Sequence, residues 1–97
     1  MAADHPDETP DVEVVLTRAL VDLFPGLPPR VAVQAADVQA LIHELDRRWP
    51  GVRDRLCDST PRIRRHLNIF VDGQKATLAT RLQPGAKVFV LTAMSGG

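Results

Sequence analysis

The sequence predicts an α+β domain in which a mixed sheet of about five strands packs against one main helix. The first observation is a single helical stripe of apolar residues between Asp37 and Pro50. The second is a set of short runs in which apolar and polar residues alternate, as they do in half-buried strands. The third is the Asp72-Gly73 pair between two such runs, a strong short-range signal for a β-hairpin.

The chain begins with a segment that offers little to a core. Residues 1–11 contain four acids, two prolines and no large apolar side chain after Met1. Such a segment buries too little apolar surface to offset the entropy of ordering it. We therefore predict a flexible acidic tail over residues 1–11 and a folded domain over residues 12–97. A regulatory acidic arm is the alternative interpretation.

Two strands are predicted in the first third of the domain. Residues 12–16 and 31–35 each place apolar side chains at alternate positions. Between them, apolar residues occur at irregular spacing and are followed by Pro25-Gly26 and two further prolines. This arrangement predicts a hairpin with a long connection.

The main helix is predicted to begin after Asp37, whose carboxylate can accept from free N–H groups of the first turn. Pro50-Gly51 ends it, and residues 52–58 continue as a further helical turn or two. Its apolar stripe consists of Val38, Leu41, Ile42, Leu45 and Trp49.

Three more strands are predicted in the second half of the chain. Residues 67–71 alternate, and Asp72-Gly73 then reverses the chain into a return strand over residues 74–78. Pro84-Gly85 marks another turn. Residues 87–93 form the last strand, with Val88 and Val90 on one side.

Composition excludes several functional classes. The chain has 97 residues with 12 Lys+Arg against 12 Asp+Glu, so it lacks the cationic excess of a nucleic-acid binder or of an anchor for acidic membranes. No apolar run approaches the length of a membrane span, and the first residues lack the pattern of a signal peptide. A single cysteine cannot form an internal disulfide. These features favour a cytoplasmic protein.

Catalytic and metal-binding patterns are not recognisable in the sequence. His5, His43 and His66 have no metal-ligand spacing, and no Gly-rich phosphate loop occurs. We predict no catalytic residue, no metal site and no bound cofactor. A basic cluster at Arg62, Arg64, Arg65 and His66 is either a solvated turn or a docking patch for an acidic partner.

Strand alternation predicts an apolar patch on the sheet face that the helix leaves uncovered. Because one helix covers one face, side chains that alternate with the core positions point away from it. An exposed apolar patch often marks a partner site. The alternative is that residues 20–29 cover this face. The patch consists of Val15, Phe70, Phe89 and Leu91.

The last residues of the sequence, Ser95-Gly96-Gly97, are not needed by a strand. Glycines have no Cβ and can pass through a channel in which any side chain would clash. The segment would present a terminal carboxylate at the tip of a mobile arm. A frayed terminus or an expression remnant is the alternative.

Taken over residues 12–97, the sequence resembles the ubiquitin-like sulfur carriers, such as the molybdopterin-synthase small subunit and the thiamine-pathway carrier. The stretches that carry the resemblance are the helical region at residues 37–56, "RRHLNIFVDG" at residues 64–73 and "PGAKVFVLTAMSGG" at residues 84–97. The resemblance implies a ubiquitin-like β-grasp fold with a flexible C-terminal Gly-Gly tail.

The resemblance also implies a carrier protein rather than an enzyme, or the small subunit of a sulfur-transferring synthase. An adenylyltransferase similar to ubiquitin-activating enzymes would use ATP to activate the Gly97 carboxylate, with Gly96 giving access to the active site. A sulfurtransferase or other source would supply the sulfur, and a synthase in cofactor or cysteine biosynthesis would accept it. A protein modifier conjugated through Gly97 and a β-grasp interaction module are the alternatives.

Overall fold

The computed structural model describes residues 9–57, 63–64 and 67–92. The strands are β1 (Asp11–Leu16), β2 (Arg30–Gln34), β3 (Leu67–Val71), β4 (Gln74–Lys75) and β5 (Lys87–Thr92). The helices are α1 (Arg18–Val21), α2 (Val38–Arg48) and α3 (Val52–Leu56).

The five strands form one mixed sheet in the order β2-β1-β5-β3-β4. The central strands β1 and β5 are parallel, and every other neighbouring pair is antiparallel. The prediction of a mixed five-stranded sheet with one main helix is therefore confirmed. β5, the last strand in the sequence, lies between β1 and β3 and thus occupies the centre of the sheet.

The core lies between α2 and one face of the sheet. Each strand of the sheet's centre alternates buried and less buried residues, as a sheet covered on one face requires. Trp49, the last member of the predicted helical stripe, is partly buried and packs against the core. The fully buried side chains include Val38, Leu41, Ile42 and Leu45 of α2 and Val14, Ile69, Val88 and Val90 of the sheet.

The free N–H groups at the start of α2 find acceptors both in the neighbouring Asp37 and in a distant segment of the chain. Asp37 Oδ1 accepts from the Ala40 N–H at 2.8 Å, as predicted. The Val38 and Gln39 N–H groups donate to the carbonyls of Thr80 and Leu78 at 3.0 Å each. The return strand over residues 74–78 was therefore predicted too long: β4 contains only Gln74–Lys75, because the chain then turns away to meet α2.

The polar side of α2 contacts the edge of the sheet. Arg47 Nη2 and Arg48 Nε donate to Glu44 Oε2 at 2.6 and 3.0 Å. The hydrogen bonds from Arg47 and then Arg48 hold the pKa of the Glu44 carboxyl below its ordinary value. Arg48 Nη1 also donates to the Ala32 carbonyl of β2 at 3.2 Å, which joins the helix to the edge strand.

The short helix α1 was not predicted. Thr17 caps it by accepting from the Leu20 N–H at 3.4 Å. Its four residues are too few to display a helical period, so the irregular apolar spacing after β1 carried no readable signal. Other bounds also differ: β1 begins at Asp11, inside the predicted tail, β2 begins and ends one residue earlier than predicted, and α3 ends at Leu56. β5 is described up to Thr92, and residue 93 lies outside the described residues.

The hairpin between β3 and β4 turns where the sequence predicted. Asp72 and Gly73 have φ values of 50° and 88°, so both central residues of the turn are left-handed, as a type I′ turn requires. Asp72 Oδ1 also accepts from the Lys87 N–H at 3.0 Å, which fastens the turn to β5.

Replacing Gly51 by alanine should lower the free energy of unfolding by about 2–3 kcal/mol. Gly51 has φ +105°, and a Cβ there would lie 3.1 Å from Phe24 Cε1. Gly85 is the matched control, because it has φ +80° but open space around it, and Gly85→Ala should cost only about 1 kcal/mol. Urea titration of both variants gives the difference, and equal losses would show that the Phe24 contact contributes nothing.

Candidate functional site

The helices leave one face of the sheet uncovered. Val14 and Val88 are fully buried beneath α2, so their strand neighbours Val15 and Phe89 lie on the opposite side of the sheet. We call this side the open face. The large apolar side chains on this face do not belong to the buried core of the described residues.

Three apolar side chains form a continuous row across the middle of the open face. Val15 of β1 is paired with Phe89 of β5, and Phe89 is paired with Phe70 of β3. Paired side chains on one face lie in contact distance of each other, so the two rings and the valine make one surface, which we call the apolar row. All three are half-buried, and Leu91 extends the surface along β5 with 39% of its area exposed.

The segment between β1 and β2 packs on the helical side of the sheet. Leu20 and Leu27 belong to the buried core, and Phe24 lies against it next to Gly51 at the start of α3. The alternative that residues 20–29 cover the open face therefore finds no support in the contacts of their apolar side chains. Leu23 of this segment is 50% exposed.

Charged side chains stand at both ends of the apolar row. Arg30 of β2 is paired with Val15, and Lys75 of β4 is paired with Phe70. Neither residue was predicted to belong to the site. The two-residue Asp72-Gly73 turn already implies the pairing of Lys75 with Phe70, but the β1–β2 register depends on a long connection and could not be read.

The carboxylates of the open face lie farther from the end of β5 than the apolar row does. Glu13 precedes Val15 by two residues on β1, and its carboxylate is 3.7 Å from both Arg30 Nη1 and Lys87 Nζ. Asp11 lies two residues farther back. Among the residues that the structure describes, Lys75 has no carboxylate within ion-pair distance.

The strand at the centre of the sheet leads to the predicted reactive end. Leu91 and Thr92 are the last described residues of β5, and Gly96 and Gly97 lie outside the described residues. The prediction that Gly97 is the activated residue therefore stays a prediction. Assignment of Val15, Phe70, Phe89 and Leu91 to a partner-binding site likewise remains one, although the fold brings all four to the open face.

Of the predicted basic cluster, only Arg64 is among the described residues. Arg64 Nε donates to the Asp54 carbonyl at 2.9 Å, and the Arg64 N–H donates to the Leu56 carbonyl at 2.8 Å. These two hydrogen bonds join Arg64, which lies between α3 and β3 in the sequence, to α3. Arg62, Arg65 and His66 lie outside the described residues.

Metal-binding and membrane-spanning features are not found in the described part of the chain. Over residues 9–57, 63–64 and 67–92, no three His, Cys, Asp or Glu side chains are grouped so that they could hold a metal ion. Within the same ranges no helix has the length and apolar character needed to cross a membrane.

Solved structures show the same fold. CysO of Mycobacterium tuberculosis is 26% identical and covers 86% of this chain and 99% of its own, with a TM-score of 0.77. A chain of the Amycolatopsis orientalis BexX/CysO complex is 23% identical, with coverages of 89% and 99% and a TM-score of 0.79. SAMP1 of Haloferax volcanii is 21% identical, with coverages of 90% and 99% and a TM-score of 0.76. The predicted ubiquitin-like β-grasp fold is confirmed.

Comparison by sequence gives a family match. The family model described as the ThiS family matches residues 27–97, from the end of the β1–β2 connection through both terminal glycines. No curated protein matches the chain by sequence.

Proposed function

Because the chain belongs to the ThiS family of ubiquitin-like sulfur carriers, we propose that it carries sulfur as a thiocarboxylate on Gly97. The chain acts as a substrate of other enzymes rather than as a catalyst. The open face is the surface by which a partner adenylyltransferase holds it. The last residues of the sequence then enter the active site of that partner.

The chemistry divides between this chain and its partner. A Gly97 carboxylate oxygen attacks the α-phosphorus of ATP, and pyrophosphate leaves, which gives an acyl-adenylate. Hydrosulfide attacks the acyl carbon, and AMP leaves. The product thiocarboxylate has a nucleophilic sulfur for an acceptor synthase. The partner binds ATP, so this chain needs no cofactor site.

The observation that supports this division is the position of β5. This strand carries Phe89 and Leu91 on the open face and continues directly into residues 93–97. Five extended residues reach at most about 17 Å. A partner that covers the open face can therefore receive Gly97 at an active site within that distance of Thr92.

Intact-mass spectrometry tests the proposal. The protein is incubated with ATP, hydrosulfide and the adenylyltransferase of the same genome, and an identical sample lacks ATP. We expect the mass gain of one oxygen-to-sulfur exchange only where ATP is present. A protein that keeps its mass with an activating enzyme shown to bind it would contradict the proposal.

Modification of other proteins is the competing outcome of the same activation. The acyl-adenylate of Gly97 would then be captured by a lysine amine to form an isopeptide. Species of higher mass should then appear in cell extract and disappear when Gly97 is deleted. A carrier gives the thiocarboxylate without such conjugates.

Replacing Phe89 by aspartate should weaken binding to the activating enzyme about thirtyfold, because a central aromatic anchor is lost and a charge takes its place. Phe89 lies outside the buried core, so the Tm should change by only a few degrees. His43→Asp is the control, since His43 is exposed on α2, on the other side of the sheet. Titration calorimetry and thermal melts measure both effects, and loss of the fold in Phe89→Asp would show that the face assignment is reversed.

A further inference from the structure

The register of the sheet places cations at both ends of the apolar row. Read across all five strands, the row runs Arg30, Val15, Phe89, Phe70 and Lys75. Adjacent strands are about 4.8 Å apart, so the two cationic positions are separated by about 19 Å across the sheet. The apolar surface is thus bounded by positive charge at each edge strand.

The charges on this face are distributed unevenly along the strands. Glu13 and Asp11 lie behind the apolar row, toward the start of β1. Ahead of the row, toward the end of β5, the described open-face residues are the uncharged Leu91 and Asn68. The half of the face from which residues 93–97 depart therefore has positive charge at its margins and no described carboxylate.

The cations at the two margins differ in whether they already have an ion-pair partner among the described residues. The Arg30 side chain is 70% exposed, and its guanidinium shares the Glu13 carboxylate with Lys87, so one carboxylate faces two cations. Exposed ion pairs at 3.7 Å contribute little to the free energy of folding. Arg30 can therefore exchange its contact with Glu13 for a contact with a partner's carboxylate. Lys75 is exposed and unpaired among the described residues.

We propose that the partner surface that covers the open face is acidic at two places, with carboxylates that meet Arg30 and Lys75 on either side of an apolar recess for Phe89 and Phe70. This inference rests on the proposed docking of the activating enzyme and adds the chemistry of its surface. Matching charges steer encounter and fix the register of docking. Arg30 and Lys75 are thus specificity-determining residues, and the apolar row supplies the affinity.

The test uses the double reversal Arg30→Glu/Lys75→Glu and measures its association with the adenylyltransferase of the same genome by stopped-flow fluorescence. The association rate constant at low salt should fall about tenfold or more. At about 1 M salt, where the screening length is near 3 Å, the variant and the unmodified protein should associate at similar rates. Glu13→Gln should instead raise the low-salt rate, because it frees Arg30 and Lys87 from their shared carboxylate.

Arg53→Glu/Arg55→Glu is the matched control. It changes the net charge by the same amount, and both arginines are exposed on α3, on the helical side of the sheet. A control that slows association as much as the open-face reversal would overturn the proposal, as would a deficit that persists at high salt. A reversal that alters only self-association of this chain would assign the face to a second copy and also overturn it.

The outcomes separate this inference from the proposed function. Salt-dependent slowing by the open-face reversal supports the acidic partner even if no thiocarboxylate forms. Thiocarboxylate formation with an unchanged association rate in the reversal overturns the acidic partner alone. Failure of the unmodified protein to bind the adenylyltransferase overturns both.

Discussion

Replacing Gly96 by valine should slow formation of the Gly97 thiocarboxylate by at least about a hundredfold, because a small displacement of a reacting group costs that much. The sulfur-carrier account requires Gly97 to reach an ATP site inside another protein. A channel that admits two glycines has no room for a β-branched side chain. The rate is measured by intact mass over time with the activating enzyme at a saturating concentration.

Two controls make the Gly96→Val result interpretable. The thermal melt should be unchanged, because Gly96 has no side chain to contribute to apolar packing and follows Thr92, the last residue of β5, by four positions. Ser95→Ala should react at the rate of the unmodified protein, since alanine is no larger than serine. If Gly96→Val also reacts at that rate, the narrow-channel interpretation of the two glycines is wrong.

Replacing Leu45 by aspartate should unfold the domain. Leu45 is 0% exposed on the face of α2 that packs against the sheet. The substitution removes about 3 kcal/mol or more of apolar packing. It also buries a carboxylate, and no polar or charged side chain is buried among the described residues to pair with it. The sum is comparable with the whole stability of a small domain, about 5–15 kcal/mol.

Far-ultraviolet circular dichroism and the dispersion of amide resonances measure this loss. His43→Asp, which adds an acid to the exposed side of the same helix, should keep both signals. Leu45→Asp and Phe89→Asp should therefore give opposite results, loss of fold against loss of binding. A folded Leu45→Asp protein would mean that α2 does not bury its apolar stripe against the sheet.

The sequence was sufficient where a signal is local. The α2 stripe and its Asp37 cap lie within one continuous segment of the chain, and both are present. Asp72-Gly73 specifies its turn by conformation alone. A bound that depends on distant partners was wrong: β4 was predicted but is shorter than expected, because Leu78 and Thr80 accept from the first N–H groups of α2.

The same distinction applies to the candidate site. Alternation along single strands was enough to place Phe89 and Leu91 on the face opposite Val88 and Val90. The position of Arg30 beside Val15 follows from a register between strands that a long connection separates, and no local pattern encodes it. The apolar surface could thus be predicted, and the turn implied Lys75 at one margin, but Arg30 at the other margin could not be predicted.

Fragmentation of the activated protein in the mass spectrometer tests the central claim most directly. An oxygen-to-sulfur exchange adds about 16 Da, as does oxidation of a methionine such as Met94, so the site of the gain must be located. We predict that the gain lies on Gly97 alone and depends on ATP. A gain on Met94, or about 32 Da on Cys57 as a persulfide, with Gly97 unmodified would contradict the account.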